Sequence, residues 1–208
     1  MSGRFIALEG GEGVGKSTQG RLLAEALRAR GLDVVTTREP GGTAGAEAIR
    51  AMLLSNEGEG WGARAEALLF AAARADHVEK LIRPALARGS WVLCDRYVDS
   101  SRAYQGGGGG LSDDDVMTLH RVGSAGLLPD LTVLLAVRPE VSAARLALRD
   151  GDVTDRIEGR GADYHARVAA AFRAFAETEP ERFAIVDAEG SPDNVHRRVL
   201  AVVAGLLS

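Results

Sequence analysis

One short glycine-rich segment near the N-terminus constrains the fold of this chain more than any other feature. Residues 10–17 read Gly-Gly-Glu-Gly-Val-Gly-Lys-Ser, which fits the pattern of a glycine, four residues and then Gly-Lys-Ser/Thr. The segment follows a strand-like apolar run at 4–8 and precedes apolar residues at helical spacing. A strand, a glycine-rich turn and a helix in that order form a phosphate-binding loop, in which backbone N–H groups and the helix N-terminus surround phosphate oxygens.

The loop also predicts which side chains contact a nucleoside triphosphate. Lys16 reaches the terminal phosphates, and the Ser17 hydroxyl is a ligand for Mg²⁺. Glu12 is unusual in such a loop, because a carboxylate repels phosphate; it either faces solvent or accepts a hydrogen bond from a hydroxyl group of a second substrate. The predicted ATP-binding residues are Gly10, Gly11, Glu12, Gly13, Val14, Gly15, Lys16, Ser17 and Thr18.

Short apolar runs alternate with helical stretches along the rest of the chain. The predicted strands are 4–8, 33–37, 91–95, 131–137 and 183–187. The predicted helices are 16–30, 43–54, 63–87 with a bend near Pro84, 139–149, 162–177 and 192–207. This alternation is typical of a parallel sheet with helices on both faces, so we expect one three-layer α/β domain over residues 1–208 with a five-stranded parallel sheet. The five glycines at 106–110 are expected to form a surface loop.

Composition and charge exclude several classes of protein. The chain has 208 residues, of which 46% are hydrophobic and 26% charged, as in ordinary globular proteins. No apolar run approaches the roughly 20 residues that span a bilayer, and no signal peptide precedes the first strand, so we expect a cytoplasmic protein without a membrane partner. The net charge of −4 argues against a nucleic-acid partner. Cys94 is expected to be buried, and the histidines lack the spacing of zinc ligands.

Two classes of phosphate-loop protein compete, a guanine-nucleotide switch and a small-molecule kinase. A switch needs an Asn-Lys-x-Asp element, and neither asparagine, Asn56 or Asn194, begins one. A kinase needs cations around its acceptor, and Arg38 and Arg96 follow the second and third predicted strands. Because the carboxyl ends of parallel strands face the ligand crevice, both guanidinium groups can bind one phosphate with forked hydrogen bonds. The pattern favours a kinase.

Four stretches together resemble the thymidylate kinase family. They are residues 5–17, Thr37-Arg38-Glu39-Pro40-Gly41-Gly42-Thr43, Asp95-Arg96-Tyr97 continuing to Ala103-Tyr104-Gln105-Gly106, and Asp155-Arg156-Ile157-Glu158. The Arg-Glu-Pro-Gly-Gly-Thr segment is the most specific, because other nucleoside monophosphate kinases share the phosphate loop without it. The resemblance covers nearly the whole chain and implies transfer of the γ-phosphoryl group of ATP to dTMP, giving dTDP and ADP for dTTP synthesis.

The resemblance implies a role for each residue around the acceptor phosphate. Arg38 and Arg96 hold the phosphate of dTMP, and Asp95 acts near Mg²⁺ and that phosphate through water. Glu12 contacts the sugar hydroxyl or orients Arg38, and Glu9 supports the same polar network. Together with Lys16, the predicted catalytic residues are Glu12, Lys16, Asp95, Arg96 and Arg156, and the predicted metal ligands are Ser17 and Asp95.

Further residues are expected to recognise the nucleoside. Phe70 stacks on thymine, and Arg74, one helical turn later, donates a hydrogen bond to a carbonyl of the base. Tyr104 crowds the ribose 2′ position and so favours deoxynucleotides. The predicted acceptor-binding set is Glu12, Arg38, Phe70, Arg74, Arg96, Ser101, Tyr104 and Gln105.

Residues 150–161 are expected to form a short lid. The phosphate loop carries Glu12 and no arginine before Lys16, so the resemblance implies that the lid supplies the arginine that stabilises the transferring phosphoryl group. Arg156 is the first choice, with Arg149 and Arg160 as alternates. Tyr164 either reaches the base or packs its helix.

Three further points concern one peptide bond, the oligomeric state and the alternative functions. The Glu39–Pro40 bond would be trans by frequency alone, whereas the resemblance favours cis. Members of the family are usually homodimers, so we expect a homodimer here. The alternatives are a kinase acting on dUMP or UMP and a nucleotide sensor that has lost transfer.

Overall fold

The sheet that organises this protein has five parallel strands. The computed structural model describes residues 3–148 and 155–207. Within them the strands are β1 (Phe5–Glu9), β2 (Val34–Arg38), β3 (Trp91–Asp95), β4 (Leu131–Ala136) and β5 (Phe183–Asp187). Their order is β2-β3-β1-β4-β5, and every neighbouring pair is parallel. The five-stranded parallel sheet is therefore confirmed, and each strand lies within one residue of its predicted bounds.

Helices cover both faces of this sheet. They are α1 (Lys16–Arg28), α2 (Ala44–Leu54), α3 (Ala63–His77), α4 (Arg83–Ala87), α5 (Val98–Ser101), α6 (Asp113–Ser124), α7 (Pro139–Ala147), α8 (Ala162–Thr178) and α9 (Pro192–Val203). Alternate residues of β1 show the two layers, because side chains of a strand point to opposite faces. Ile6 and Leu8 belong to the cluster that includes residues of α1 and α9, whereas Phe5 and Ala7 pack with Val78 at the end of α3. No helix of the described residues is long and apolar enough to cross a bilayer.

The long helix predicted over 63–87 is interrupted by one wider turn. Residues Val78–Ile82 form a π-helical turn between α3 and α4, and Pro84 stands in the first turn of α4. Proline has no N–H to donate to the carbonyl one turn earlier, and a π turn is a common way for a helix to accommodate such a disruption. The bend predicted near Pro84 therefore takes this form.

Helix α6 was not predicted, although its beginning carries a clear signal. Ser112 is its N-cap, and the side-chain oxygen of Ser112 accepts a hydrogen bond from the Asp115 N–H at 3.1 Å. Asp113, Asp114 and Asp115 fill the first turn, where negative charge stabilises a helix. The start signal was readable, but the buried face includes only Val116, His120 and Ser124, which weakens the apolar pattern.

The expectation of a surface loop at the glycine run is wrong for residues 106–108, whereas Gly109 and Gly110 lie outside any helix, as expected. Residues Arg102–Gly108 form a π-helical segment that packs on α8. A Cβ atom on Gly107 would lie 2.5 Å from Cβ of Ala171, and one on Gly108 would lie 2.6 Å from the ring of Tyr164. The glycines are therefore there for close approach between two helical segments, a tertiary requirement that overrides their low helix propensity.

Candidate active site

A cavity of about 630 Å³ opens at the carboxyl ends of the central strands. It is bordered by the phosphate loop after β1, the segment after β2, and the segment after β3. All eight residues predicted to bind the acceptor line it: Glu12, Arg38, Phe70, Arg74, Arg96, Ser101, Tyr104 and Gln105. Gly13, Gly15, Lys16, Ser17, Thr18 and Asp95 also line it. Of the remaining predicted residues, Gly10, Gly11, Val14 and Arg156 are outside this lining.

The phosphate loop has the conformation that its glycines allow. Gly10, Gly13 and Gly15 have φ angles of 136°, 70° and 98°, which side chains rarely adopt. Nζ of Lys16 lies 2.7 Å from the Gly11 carbonyl oxygen and 3.2 Å from that of Gly10. Burial, followed by the charge of Arg96, lowers the pKa of Lys16. The ammonium group is thus held inside the turn of backbone that residues 10–16 form, where a nearby negative charge would favour its charged form.

The two predicted metal ligands are neighbours. The Ser17 hydroxyl donates a hydrogen bond to Oδ2 of Asp95 at 2.9 Å, and both residues line the cavity next to Lys16. A hydroxyl and a carboxylate are the hard oxygen donors that Mg²⁺ prefers, and this ion commonly takes one or two protein oxygens plus substrate phosphates. The described residues hold no cluster of three or more His, Cys, Asp or Glu side chains suited to a metal.

Arg96 lies between the phosphate loop and the acceptor side of the cavity. Its backbone is left-handed, with φ 67°, which is unusual for a residue other than glycine. Its guanidinium group donates to a carboxylate oxygen of Glu12, to the Gly10 carbonyl oxygen at 3.1 Å and to Ser100 Oγ at 3.0 Å. It also lies 5.0 Å from the ring centre of Tyr104. Burial opposes its charge, but Tyr104, Glu12 and Glu9 outweigh that effect and raise the pKa of Arg96.

The contact between Glu12 and Arg96 decides between the readings of Glu12. Both side chains are mostly buried, and they form an ion pair inside the cavity. The carboxylate therefore does not point freely into solvent, and Arg96 is one of its ion-pair partners. In this position the Glu12 carboxylate partly neutralises the charge of Arg96.

Glu9 is fully buried beneath Arg96. Oε1 accepts hydrogen bonds from the N–H groups of Tyr97 at 2.8 Å and Ser100 at 3.0 Å, and Oε2 accepts one from Ser100 Oγ at 2.7 Å. Burial, and then the charge of Asp99, raise the pKa of Glu9 to about 7. The carboxylate thereby caps the start of α5 and holds the hydroxyl to which Arg96 donates. The expected polar network is present, and the solvent-facing alternative for Glu9 is excluded.

Phe70 and Arg74 line the opposite wall from helix α3. Arg74 is only 3% exposed, and its Nε donates to Oε2 of Glu39 at 2.7 Å. Its Nη2 donates to Ser101 Oγ at 2.9 Å. The sequence placed Phe70 and Arg74 on one helical face, and the structure places both at one cavity. The Glu39–Pro40 bond beside them is cis.

Arg38 is more exposed than the other acceptor-side residues. Its Nη2 contacts both carboxylate oxygens of Glu47 at 3.2 Å. Arg50, one turn after Glu47 on α2, donates to the Pro40 carbonyl oxygen at 2.8 Å and also lines the cavity. Sequence reasoning missed Arg50, although the spacing of Glu47 and Arg50 on one face of a helix next to the Arg-Glu-Pro segment was a usable signal.

A second missed arginine lies on the side of the phosphate loop. Arg145 of α7 lines the cavity, and its guanidinium group is 3.4 Å from the carbonyl oxygens of Gly13 and Val14. Ser142, also on α7, donates to the Glu12 carbonyl oxygen at 2.6 Å. Nothing in the local sequence distinguishes Arg145 from other surface arginines, because its place depends on how α7 packs against the loop.

The described arginines of the predicted lid are engaged elsewhere in this structure. Arg156 donates to the carbonyl oxygens of Ser55 at 2.7 Å and Glu57 at 2.6 Å. Arg160 pairs with the buried carboxylate of Glu66 and donates to the hydroxyl of Tyr164 at 2.7 Å. The alternate Arg149 and the lid residues 150–154 lie outside the described residues. The assignment of Arg156 to the phosphoryl group stays a prediction.

Tyr104 and Gln105 are held on the far wall of the cavity. The carbonyl oxygen of Tyr104 accepts a hydrogen bond from the hydroxyl of Tyr164 at 2.8 Å, so Tyr164 has the packing role among its two predicted alternatives. Nε2 of Gln105 donates to Oε1 of Glu66 at 3.0 Å. Glu66 therefore joins the cavity wall to Arg160.

Comparison with known proteins gives one consistent result. A model of the family described as thymidylate kinase matches residues 8–199. A thymidylate kinase of Rhizorhabdus wittichii is 58% identical over 207 residues, covering 100% of both chains. A thymidylate kinase of Rhodopseudomonas palustris (strain TIE-1) is 53% identical over 98% of this chain and 89% of its own.

A solved structure agrees with these sequence relatives. The crystal structure of thymidylate kinase from Ehrlichia chaffeensis superposes with a TM-score of 0.80 at 31% identity, covering 98% of this chain and 100% of that one. Its sheet-and-helix arrangement is that of a phosphate-loop kinase. Because the family model spans most of the sequence and close relatives span nearly all of it, this chain belongs to the thymidylate kinase family.

Proposed function

We propose how this member of the family carries out its reaction and which of its residues do so. It is a kinase that transfers the γ-phosphoryl group of ATP to dTMP, giving dTDP and ADP. The observation that carries the assignment of residues is one cavity, which all eight predicted acceptor-binding residues line together with residues of the phosphate loop. Donor and acceptor can meet there without either leaving the protein.

The acceptor phosphate is bound by Arg38 and Arg96. A nucleoside monophosphate has a second pKa near 6, so at pH 7 it is largely dianionic and needs no strong general base. Catalysis is then a matter of positioning and of stabilising charge. Arg96 is already oriented by Glu12, Ser100 and the ring of Tyr104, whereas Arg38 is exposed and can turn toward the phosphate from its pair with Glu47.

The nucleoside is bound between α3 and the segment after β3. Phe70 is half-buried at the cavity and offers its ring face to the pyrimidine, and Arg74 donates to a carbonyl oxygen of the base. Tyr104 closes the sugar side, because its ring is packed by Tyr164 and Phe172 at centroid distances of 6.3 Å. A rigid ring there leaves little room for a ribose 2′-hydroxyl.

The triphosphate is bound by the backbone of the phosphate loop, by Lys16 and by Mg²⁺. The Ser17 hydroxyl and, through water, the Asp95 carboxylate would hold the ion; the hydrogen-bonded pair of oxygens supports this. When bound, Mg²⁺ neutralises negative charge on the phosphates. Lys16 adds a second positive charge at the same place. Arg156 is proposed to complete the site from the lid, which requires it to leave the carbonyl groups of residues 55 and 57.

The proposal is tested by a coupled ADP-release assay with MgATP against dTMP, dUMP, UMP, CMP, AMP and GMP. We expect strong turnover with dTMP, weak turnover with dUMP, since one methyl group is worth about 1–3 kcal/mol in a pocket, and none with the others. Turnover with a different monophosphate would support phosphoryl transfer but contradict the roles assigned to Phe70, Arg74 and Tyr104. ATP binding without transfer to any acceptor would contradict the function itself.

We also propose that the protein is a homodimer of single-domain subunits spanning residues 1–208, with a lid over 150–161. Leu68 of α3 is 56% exposed and Val122 of α6 is 83% exposed. They lie on two helices in contact, since Gly123 of α6 lies against Ala71 of α3. Exposed apolar side chains on a continuous helical surface suit burial against a second copy. A reaction that consumes ATP supports a cytoplasmic location.

A further inference from the structure

A line of buried polar side chains lies behind the acceptor side of the cavity, and the roles described above do not use all of it. It runs from Arg74 through Glu39 and His77, which are buried, to the half-buried Thr37. Arg74 is 3% exposed, Glu39 4% and His77 0%. His77 Nδ1 lies 3.0 Å from Oε1 of Glu39, and His77 Nε2 lies 2.7 Å from Oγ1 of Thr37. Polar groups buried to this degree are kept only where each finds a partner.

Glu39 is the link that reaches the cavity. Each of its oxygens has one partner, with Arg74 Nε at Oε2 and His77 Nδ1 at Oε1. The other hydrogen bonds of Arg74 are made by Nη2, to Ser101 Oγ and to the Tyr97 carbonyl oxygen at 3.3 Å. These contacts fix the plane of the guanidinium group, and within residues 3–148 and 155–207 none is made by Nη1, which we therefore assign to a ligand. The direction in which Arg74 presents Nη1 therefore depends on where the Glu39 carboxylate is held.

His77 holds the Glu39 carboxylate in place on the side away from Arg74. A carboxylate beside a guanidinium group only accepts hydrogen bonds, so Nδ1 of His77 carries the hydrogen that Glu39 receives. The hydroxyl of Thr37 holds the other side of the ring. Gly42 closes over this pair, because its φ is +87° and a Cβ atom there would lie 2.6 Å from His77 Nε2 and overlap the Thr37 hydroxyl. The ring cannot tilt away from Glu39 without disturbing β2 or the Gly41–Gly42 turn.

We propose that His77 is a positioning residue for acceptor recognition, which holds Glu39 so that Arg74 presents its Nη1 to the base of the pyrimidine monophosphate. The inference rests on the proposed function, in which Arg74 contacts the base. It predicts that loss of the His77–Glu39 hydrogen bond weakens binding of dTMP while binding of ATP and the chemical step change little.

A matched pair of substitutions separates this role from simple packing. In His77→Asn the side-chain amide nitrogen takes roughly the place of Nδ1 and can still donate to Glu39. In His77→Gln the amide takes roughly the place of Nε2, so it can contact Thr37 but not Glu39. Both variants lose the ring, so a packing role would affect the two alike or follow side-chain size. KM for dTMP, KM for ATP, kcat and the melting temperature are measured for both.

The expected result is an asymmetry between the two variants. His77→Gln should raise KM for dTMP about tenfold, with KM for ATP and kcat within about twofold of the native values, because a hydrogen bond to a charged group is lost. His77→Asn should stay within about threefold for all three constants. Equal effects on KM for dTMP in both variants, or lowered melting temperatures with unchanged KM, would overturn the proposal.

Two controls keep the test decisive. Arg74→Ala should raise KM for dTMP at least as much as His77→Gln; if Arg74→Ala leaves it unchanged, the proposed binding of the base fails first. A strong effect of Arg74→Ala with none for His77→Gln overturns only the role of His77. If neither His77 variant folds, Thr37→Val removes the hydroxyl at constant size and is expected to raise KM for dTMP about threefold with unchanged kcat; no rise would count against the proposal.

Discussion

At the scale of single residues, the site is organised around an arginine in an unusual backbone conformation. Arg96 has φ 67°, and its carbonyl oxygen accepts a contact from the buried thiol of Cys94 at 2.9 Å. Its side chain is oriented from Glu12 on one side and from Ser100 on the other. The cost of the backbone conformation, of the order of 1–3 kcal/mol, is offset by this set of contacts, which orients a cation at the cavity.

Substitution of Arg96 tests that reading. Arg96→Ala should lower kcat/KM for dTMP by about 10²-fold or more, since it removes an oriented cation from the acceptor side of the cavity. Steady-state kinetics with varied dTMP measures the effect. Arg121→Ala, at an exposed arginine of α6, is the control and should leave kcat/KM for dTMP unchanged. Unchanged kinetics in Arg96→Ala would contradict the proposal that Arg96 binds the acceptor phosphate.

Glu9 predicts a pH dependence of activity. Its pKa of about 7 means that it becomes protonated in mildly acidic solution, which weakens its hold on Ser100 and so on Arg96. We expect kcat/KM for dTMP to fall below about pH 7, with a further fall near pH 6 from the acceptor phosphate. Glu9→Gln should lose the first step and keep the second. An identical profile in Glu9→Gln would exclude Glu9 as the group responsible.

The same group has an effect of known sign on stability. The folded chain holds the Glu9 proton more tightly than the unfolded chain does, because the pKa is raised from 4.5 to about 7. This contribution to stability is complete below pH 4.5 and is lost as the pH rises through 7. The free energy of unfolding, measured with urea at a series of pH values in this range, should therefore fall as the pH rises, and it should fall less steeply in Glu9→Gln. The same dependence on pH in the native protein and in Glu9→Gln would contradict the assignment.

At the scale of elements, the glycine run shows how packing decides local conformation. Five consecutive glycines normally indicate a loop, yet Arg102–Gly108 is helical because Gly107 and Gly108 let it approach α8 closely. The contact places Tyr104 and Gln105 at the cavity wall, and Tyr164 of α8 donates to the Tyr104 carbonyl oxygen. The shape of the sugar pocket therefore depends on a helix–helix contact.

Two alanine substitutions within this run should have different effects on stability. Gly107→Ala places a methyl group 2.5 Å from Cβ of Ala171 and should reduce the free energy of unfolding by about 1–3 kcal/mol. Gly106→Ala meets nothing closer than a carbonyl oxygen at 3.5 Å and should be neutral or mildly stabilising, because alanine is the better helix former. Urea unfolding of both variants measures the difference. Equal losses in the two would mean that backbone freedom, not close approach, requires the glycines.

The lid arginines Arg156 and Arg160 have different surroundings, so we expect substitution of one to lower kcat and substitution of the other to lower stability. Arg156 contacts carbonyl oxygens of a loop, whereas Arg160 neutralises the buried Glu66. Arg156→Ala should lower kcat by about 10³-fold with little change in KM for dTMP, if Arg156 stabilises the transferring phosphoryl group. Arg160→Ala should mainly lower stability, because a buried carboxylate loses its cation. A larger loss of kcat in Arg160→Ala than in Arg156→Ala would reverse the assignment.

At the scale of the whole molecule, the sheet divides two kinds of surface. One face packs on α1 and α9 and supports the phosphate loop, and the other packs on the π-helical turn Val78–Ile82, on α4 and on α6. The acceptor cavity lies where the elements from both faces meet, at the carboxyl ends of β1, β2 and β3. The exposed apolar residues Leu68 and Val122 lie away from that cavity, so an assembly through them leaves the cavity open.

The proposed dimer predicts that a single negative charge in its interface would separate the subunits. Val122→Asp should convert the protein from dimer to monomer, because it would bury a carboxylate in an apolar interface. Light scattering coupled to size-exclusion chromatography gives the mass. Leu148→Asp introduces the same charge at a residue of similar exposure, 83% for Val122 and 82% for Leu148, and should leave the mass unchanged. A native monomer, or a dimer in Val122→Asp, would exclude this interface.

Much of the fold and of the site's membership could be predicted from local patterns. The strands came within one residue of their bounds because apolar runs between glycines and charged residues mark them clearly. The phosphate loop and the Arg-Glu-Pro-Gly-Gly-Thr segment are contiguous, so the chemistry they require is visible in one stretch of chain. Phe70 and Arg74 were placed together by helical spacing. These inferences needed no knowledge of which distant segments meet.

The remaining features depend on contacts between residues far apart in the chain. Glu12 and Arg96 are 84 positions apart, His77 and Glu39 are 38, and Gly107 matters because of Ala171 on another helix. No local pattern encodes such pairs, since they arise only when the sheet brings its strand ends together. The sequence by itself determined the reaction class and the residue types of this protein; the tertiary structure decided which carboxylate orients which arginine, because an ion pair depends on distance in space.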